Sequence, residues 1–176
     1  HIVRGIGYGV SIKNIMYSEG FDDYSTARCI LEDGVATIKF ATSEVGQGFV
    51  TLAPQIARSV LGVDEVITET IDTQIGSAGS TSASRQTWMS GGAVDGACRL
   101  VRERLFEHVA HTHGLDPLQL VIEDTDIVDT MGPLRISVSE ASTRAVPLRL
   151  GMCMSWAHAC MTGWSVPVIS FITILL

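Results

Sequence analysis

From Gly76 to Val94 the chain reads GSAGSTSASRQTWMSGGAV, a run of small, hydroxylated and glycine residues that leads straight into a helical pattern. Such a run gives almost nothing to a hydrophobic core, so the chain has to fold around it. It offers unshielded backbone N–H groups, hydroxyl donors, and a helix N-terminus with a partial positive charge. That is material for holding phosphate or another polar, multiply hydrogen-bonding ligand. Upstream, Glu44-Val45-Gly46-Gln47-Gly48 places a glycine pair around one amide side chain, again just before a helical pattern. Two such loops in one short chain suggest two clamps on one ligand.

The rest of the chain can supply the core, since 46% of its 176 residues are apolar, enough for one domain. A net charge of −7 argues against a nucleic-acid surface. Cys29, Cys98, Cys153 and Cys160 are scattered without a CxxC pair, which fits neither a disulfide framework nor a zinc knuckle. A reducing cytosolic setting is the default for such usage. His1 opens the chain with no initiating Met and no basic-then-apolar leader, so it reads as a piece of something longer. From Leu150 onward there is no Asp, Glu, Lys or Arg, and Trp156, Trp164 and three methionines gather there. Three readings stand: a tail anchor of roughly 20 apolar residues, opposed by His158 and Pro167; a buried core segment; or residues outside the fold. We take 143–176 as a divergent apolar tail outside the fold.

Gly5 to Tyr17 alternates small or apolar with polar residues, a strand pattern. Tyr24–Leu31 and Val35–Ala41 flank Glu32-Asp33-Gly34, which predicts a hairpin. A helix is predicted after Gly48, with Ala53, Ile56, Ala57 and Val60 on one face, Pro54 in its first turn and Gly62 as its stop. Val66–Ile71 reads as a short strand. Val94, Cys98, Val101, Leu105 and Val109 recur at helical steps, with Arg99, Arg102, Glu103 and Glu107 facing away. Leu118–Ile122 and Leu134–Val138 predict two more strands. Without strict βαβ alternation, the fold class is α+β.

Each motif has a plain alternative. Gly46-Gln47-Gly48 can be a turn capping a helix, or Gln47 can point its donor-and-acceptor amide into a ligand. In Thr81–Thr87, Ser84 serves as a helix N-cap worth about 1 kcal/mol, which accounts for one serine but not for Gly76, Gly79, Gly91 and Gly92. Inside or at the start of a helix, Gly91 and Gly92 each cost about 1 kcal/mol relative to alanine, a penalty that marks close approach of another backbone or a ligand. Gly5-Ile6-Gly7-Tyr8-Gly9 opens no helix and is no dinucleotide fingerprint. There is no P-loop and no GxSxG elbow. His108, His111 and His113 read as a histidine-rich helix end, and Asp124, Asp126 and Asp129 as a solvated turn without the features of a calcium loop.

EVGQGFVTLAPQIARSVLGV, followed by DTQIGSAGSTSASRQTWMSGGAV and a long helix, resembles the molybdenum-binding large subunit of the molybdenum hydroxylases. That family includes xanthine dehydrogenase, aldehyde oxidase, nicotinate dehydrogenase and carbon monoxide dehydrogenase. GIGYGVSIKNIMYSEGFDDYSTARCIL is most similar to bacterial xanthine dehydrogenase-type subunits. The resemblance runs from Arg4 to Ser142. It implies that 1–142 is part of the molybdopterin-binding domain, with a mixed sheet and two packed helices.

By match of motif, the resemblance implies that Val45, Gly46 and Gln47 serve the pterin. Thr81, Ser84, Arg85, Gln86 and Thr87 would serve the dithiolene, pterin and phosphate side. The implied cofactor is molybdopterin cytosine dinucleotide with molybdenum, whose pyrophosphate suits a hydroxyl-lined helix start and a charge-assisted bond from Arg85. Partner subunits would carry 2Fe-2S and FAD, and the remainder of the large subunit would complete the site. The implied reaction is hydroxylation of a purine or related heterocycle, with water-derived oxygen and hydride transfer to the molybdenum–sulfido centre.

Lys13 and Asn14 fall near where the family lines its substrate channel. The family's glutamate base and its more N-terminal glycine-rich loop have no counterpart here, so no catalytic residue or metal ligand is named and the segment alone is expected to be inactive. A cytoplasmic setting is expected, with neither nucleic acid nor membrane as partner. The rivals are an aldehyde or nicotinate hydroxylase, a non-catalytic phosphate- or nucleotide-binding module, and a truncated relic.

Overall fold

The structure is a computed structural model that describes residues 2–10, 24–70, 73–76, 79–82, 84–144 and 148–155. Strands β1 (Tyr24–Glu32) and β2 (Val35–Phe40) form the expected hairpin, pairing from Ala27 with Phe40 down to Glu32 with Val35. Its turn holds Asp33 at φ 49° and Gly34 at φ 79°, the positive pair that a tight two-residue turn requires. Gly34 has a second reason to be glycine, because a Cβ there would fall 2.6 Å from the Ser139 hydroxyl.

From β2 the chain enters helix α1 (Phe49–Leu61) and returns as β3 (Glu65–Thr70), parallel to β2. Gly48 and Gly62, both left-handed, bound the helix. Pro54 is its sixth residue rather than a first-turn residue, so the helix gives up one backbone hydrogen bond to Val50 in its interior. Strand β7 (Leu148–Ser155) pairs antiparallel with β1 from Tyr24–Ser155 to Leu31–Leu148, completing a mixed sheet in the order β3-β2-β1-β7.

A single wide helical turn over Gln86–Ser90 feeds helix α2 (Gly91–His113). After a one-turn 3-10 segment, β4 (Leu120–Glu123), β5 (Asp126–Asp129) and β6 (Arg135–Ser137) make a small antiparallel sheet. Helix α3 (Val138–Arg144) follows, and its Ser142 hydroxyl accepts a 2.7 Å bond from the Gly34 N–H.

The core lies between one face of the large sheet and α1 and α2. Along β1 and β2 burial alternates, with Ala27, Cys29, Leu31, Ala36, Ile38 and Phe40 facing the helices. Ala53, Ala57, Ala93, Ala97 and Cys98 on the facing helices let them sit close, while Val94, Val101 and Leu105 add bulk worth about 1.5–3 kcal/mol each when buried. The Phe40 and Phe49 rings meet edge to face at 4.9 Å, tying the end of β2 to the start of α1.

Three further expectations need correction. Residues 148–155, expected to belong to an apolar tail outside the fold, form β7 and pair with β1 in the main sheet. Residues 5–10 carry no strand and are exposed, the glycines there denying a strand any side chains to pack, while 11–17 lie outside the described residues. The Asp126–Asp129 segment is a strand, not a solvated turn, and Asp129 is 6% exposed with its carboxylate accepting the Met131 N–H at 3.0 Å. Alternation decides this, since Ile127 and Asp129 share the inward face. Among the described residues, no helix is long and apolar enough to cross a membrane.

Candidate functional site at the helix starts

β2 and β3 are parallel, and the segments after their carboxyl ends carry most of the glycines singled out in the sequence. In sheets of this kind, ligands bind in the crevice outside the carboxyl ends of the strands. Because β1 runs antiparallel to β2, its start at Tyr24 lies at that same end. Gly76 comes up to it, with a Cβ there falling 3.2 Å from the Thr26 hydroxyl and 3.8 Å from the Tyr24 ring. The start of α2 packs on the middle of α1: a Cβ on Gly91, first in α2, would meet Ile56 at 3.3 Å and Leu52 at 3.8 Å. The far end of α1 packs on the small sheet, since a Cβ on Gly62 would meet Ile122 of β4 and Asp124 in the turn after it.

The first loop is organised by a residue the sequence analysis passed over. Glu44 turns its carboxylate onto the start of α1, accepting the Gly46 N–H at 2.7 Å, the Gly48 N–H at 3.1 Å and the Val50 N–H at 3.1 Å. The bonds from Gly48 and then Val50 hold this carboxyl below the ordinary glutamate range. An acid just ahead of a helix was the available signal, because a carboxylate satisfies the N–H groups orphaned there. The anion position at this helix start is therefore filled from within the chain. Gln47 is exposed, but its amide is turned into the loop: Oε1 accepts the Val45 N–H at 2.7 Å and Nε2 donates to the Ser43 carbonyl at 2.8 Å. Val45 is 71% exposed, and no described residue lies within 4 Å of a Cβ placed on Gly46 or Gly48.

The second loop divides into holders and exposed hydroxyls. Arg85 donates to the Ser80 carbonyl at 2.9 Å and lies against Gly79, whose absent Cβ leaves room for the guanidinium. Gln86 is 3% exposed and its amide is engaged at both ends. Its Nε2 donates to the Thr81 hydroxyl at 2.9 Å, and its Oε1 accepts a short bond from the Ser90 hydroxyl, which in turn accepts from Ser25 at 2.9 Å. Thr81, Ser84 and Thr87 are exposed. Among the described residues no hydrogen bond engages the hydroxyls of Ser84 and Thr87.

The structure therefore brings both predicted loops to one end of the sheet. It places Val45, Gln47, Thr81, Ser84 and Thr87 on the surface there, and Gln86 beneath. Gly91 is accounted for by the approach of α1 rather than by a ligand. At the base of the first loop, Thr42 is 1% exposed and its hydroxyl has no partner among the described residues, a loss of about 1–3 kcal/mol unless another group reaches it. Exposed hydroxyls, two left-handed glycines with no described residue in front of them and one buried hydroxyl without a partner among the described residues fit a large, polar, many-pronged ligand. No group of three metal-ligating side chains occurs among the described residues.

Comparison with known proteins bears on the same region. A family model described as the molybdopterin cofactor-binding domain matches residues 1–160. The fold is similar to that of the Cu,Mo-containing CO dehydrogenase in its carbon monoxide reduced state, at TM-score 0.63 and 18% identity over 77% of this chain and 21% of that one. Quinoline 2-oxidoreductase from Pseudomonas putida 86 gives 0.64 and 20%, over 75% of this chain and 21% of that one. Reconstituted CO dehydrogenase from Oligotropha carboxidovorans gives 0.62 and 17%, over 74% and 20%. The chain thus spans about a fifth of the length of these proteins. A search of the curated proteins found no match.

Proposed function

The chain belongs to the molybdopterin cofactor-binding domain family, and from that premise we propose that it forms one wall of the cofactor cradle in the large subunit of a molybdenum hydroxylase. The observation that carries this reading is that the Glu44–Gly48 loop, which follows β2, and the Gly79–Thr87 loop, whose Arg85 reaches the Tyr24 carbonyl at the start of β1, leave the same end of the sheet. When bound, the cofactor supplies the redox centre at which an electron-poor carbon is hydroxylated. Everything this chain contributes is binding and placement.

Because Glu44 already occupies the start of α1, the first loop suits the uncharged edge of a pterin, offered by Val45, Gly46 and Gln47. The second loop would take the phosphate side through Thr81, Ser84 and Thr87, with Arg85 and Gln86 setting its shape. A hydroxyl-lined helix start without an internal carboxylate supports the cytosine dinucleotide form, which carries a pyrophosphate. Likeness of the 5–31 segment to bacterial xanthine dehydrogenase-type subunits supports a purine or related heterocycle as substrate, with iron–sulfur and FAD-binding subunits and the rest of the large subunit as partners.

The test uses the complete complex. Molybdenum analysis and mild acid hydrolysis should release molybdenum, pterin and cytidine nucleotide, and purines should reduce an electron acceptor. Gln47→Ala should lower molybdenum content by opening the first loop, with α2 still folded. Absence of molybdenum from the wild-type complex would refute the cradle. Turnover of aldehydes or nicotinate in place of purines would refute only the substrate.

A further inference from the structure

Four side chains form one polar line from the sheet to the surface. Ser25 of β1 is fully buried, Ser90 is 1% exposed and Gln86 is 3% exposed, so none of the three can exchange its partner for water. The line has a direction. The Ser25 hydroxyl donates to Ser90 at 2.9 Å, Ser90 donates to the Gln86 carbonyl oxygen, and the Gln86 amide donates to the Thr81 hydroxyl at 2.9 Å. An amide presents an acceptor at one end and donors at the other. Once Ser90 takes the acceptor end, the donor end is the one left for Thr81. The Thr81 oxygen is then an acceptor on its inner side, and its proton is directed outward.

We propose that Ser25 and Ser90 are positioning residues that lock the Gln86 amide so that the exposed Thr81 hydroxyl is a hydrogen-bond donor toward the ligand, whose acceptor there is an anionic oxygen. Gln86 acts through Thr81 and does not touch the ligand. This inference rests on the reading that the Gly79–Thr87 loop faces the cofactor, and it reassigns Gln86 from ligand contact to support. Ser25 is the distant member, 65 residues from Ser90 and on a strand that carries none of the loop.

The test compares Thr81→Val, Gln86→Glu and the double variant in the full-length complex. A carboxylate at position 86 accepts from Ser90 and from Thr81 alike, which turns the Thr81 proton inward while keeping the shape of the side chain. Each single variant should lower retained molybdenum and pterin about fivefold, the worth of one neutral hydrogen bond. The double variant should lose no more than either single one, because both remove the same donor. Losses that multiply, or wild-type cofactor content in Gln86→Glu, would overturn the proposal.

A second readout needs no cofactor. Ser25→Ala should speed amide hydrogen exchange at Arg85 and Trp88, whose N–H groups bond the Ser82 and Ser84 carbonyls across this turn. Exchange in β2 should stay unchanged, and Ser25→Thr should restore the wild-type rate. Unchanged exchange in Ser25→Ala would overturn the proposal even where the cofactor reading holds. A complex that holds no molybdenum but shows the exchange effect would leave the polar line intact and refute the cofactor reading alone.

Discussion

Gly91 stands against Ile56, so close that a methyl group on Gly91 would sit 3.3 Å from the Ile56 Cδ1. This contact sets the N-terminal end of α2 against the middle of α1 and so fixes where the segment that precedes α2 comes out. The glycine has ordinary helical angles, with φ −62°, and its small size is the point.

Substitution at Gly91 should separate size from propensity. Gly91→Ala gains up to about 1 kcal/mol of helix propensity, and the flexible tip of Ile56 can shift by a few tenths of an ångström. Stability should change little. Gly91→Leu should lower unfolding free energy by about 1–3 kcal/mol through overpacking. Denaturant unfolding of the full chain measures both, and a Gly91→Leu variant as stable as wild type would remove the contact's role.

Gly62 and Gly114 offer a matched comparison at the other end. Both are left-handed, at φ 63° and φ 69°. A Cβ on Gly62 would fall 2.5 Å from the Asp124 carbonyl oxygen, whereas no described residue lies within 4 Å at Gly114. Gly114→Ala should cost about 1 kcal/mol, the conformational term alone. Gly62→Ala should cost about 2 kcal/mol or more, since the backbone oxygen cannot step aside. Equal losses in the two unfolding curves would contradict the packing of α1 onto the small sheet.

Glu44 should make the first loop acid-sensitive. Its folded-state titration lies below the ordinary glutamate value, chiefly through the Gly48 and Val50 N–H groups. Its support of the loop is therefore complete above about pH 4.3 and fades as pH falls through the depressed folded value. Amide resonances of Gly48 and Val50 should report a midpoint below the ordinary one, and Glu44→Gln should abolish that titration and loosen the loop at neutral pH. A midpoint at the ordinary value would mean that the carboxylate is not held there.

Cys29 and Cys98 are fully buried and meet between β1 and α2. The hydrogen bond with Cys98, followed by burial, pushes the Cys29 thiol well above its ordinary value. Neither should react with a thiol reagent in the native protein at neutral pH, and labelling should begin only as the chain unfolds. Mass spectrometry of peptides containing these two residues checks this, and rapid native labelling of either would place it outside the core.

Local signals carried the parts of the fold that were legible in the sequence. Asp33-Gly34 announced the hairpin because only such residues accept two positive φ angles, and Gly48 and Gly62 bounded α1 for the same reason. The long helix showed through Val94, Cys98, Val101 and Leu105. Pro54 misled, because packing of Ala53 and Ala57 against the sheet tolerates a missing bond in mid-helix. Residues 5–10 alternate like a strand yet pair with nothing among the described residues, since alternation records a tendency and pairing needs a partner. The site was half legible. Its glycines and hydroxyls stood out by composition, whereas the hydrogen bonds that hold Gln86 from beneath, through Ser90 to Ser25, did not. No local pattern links residues that far apart. Glu44 was passed over because the glycines beside it drew the reading.

The most direct measurement is amide hydrogen exchange of the full-length complex, cofactor-loaded against cofactor-free, read at residues 44–48 and 84–88 together. One pterin nucleotide gripped from both sides should slow exchange in both segments on loading, with α2 beyond its first turns unaffected. Slowing in one segment alone, or in neither, would contradict the claim that the two loops close on the same ligand.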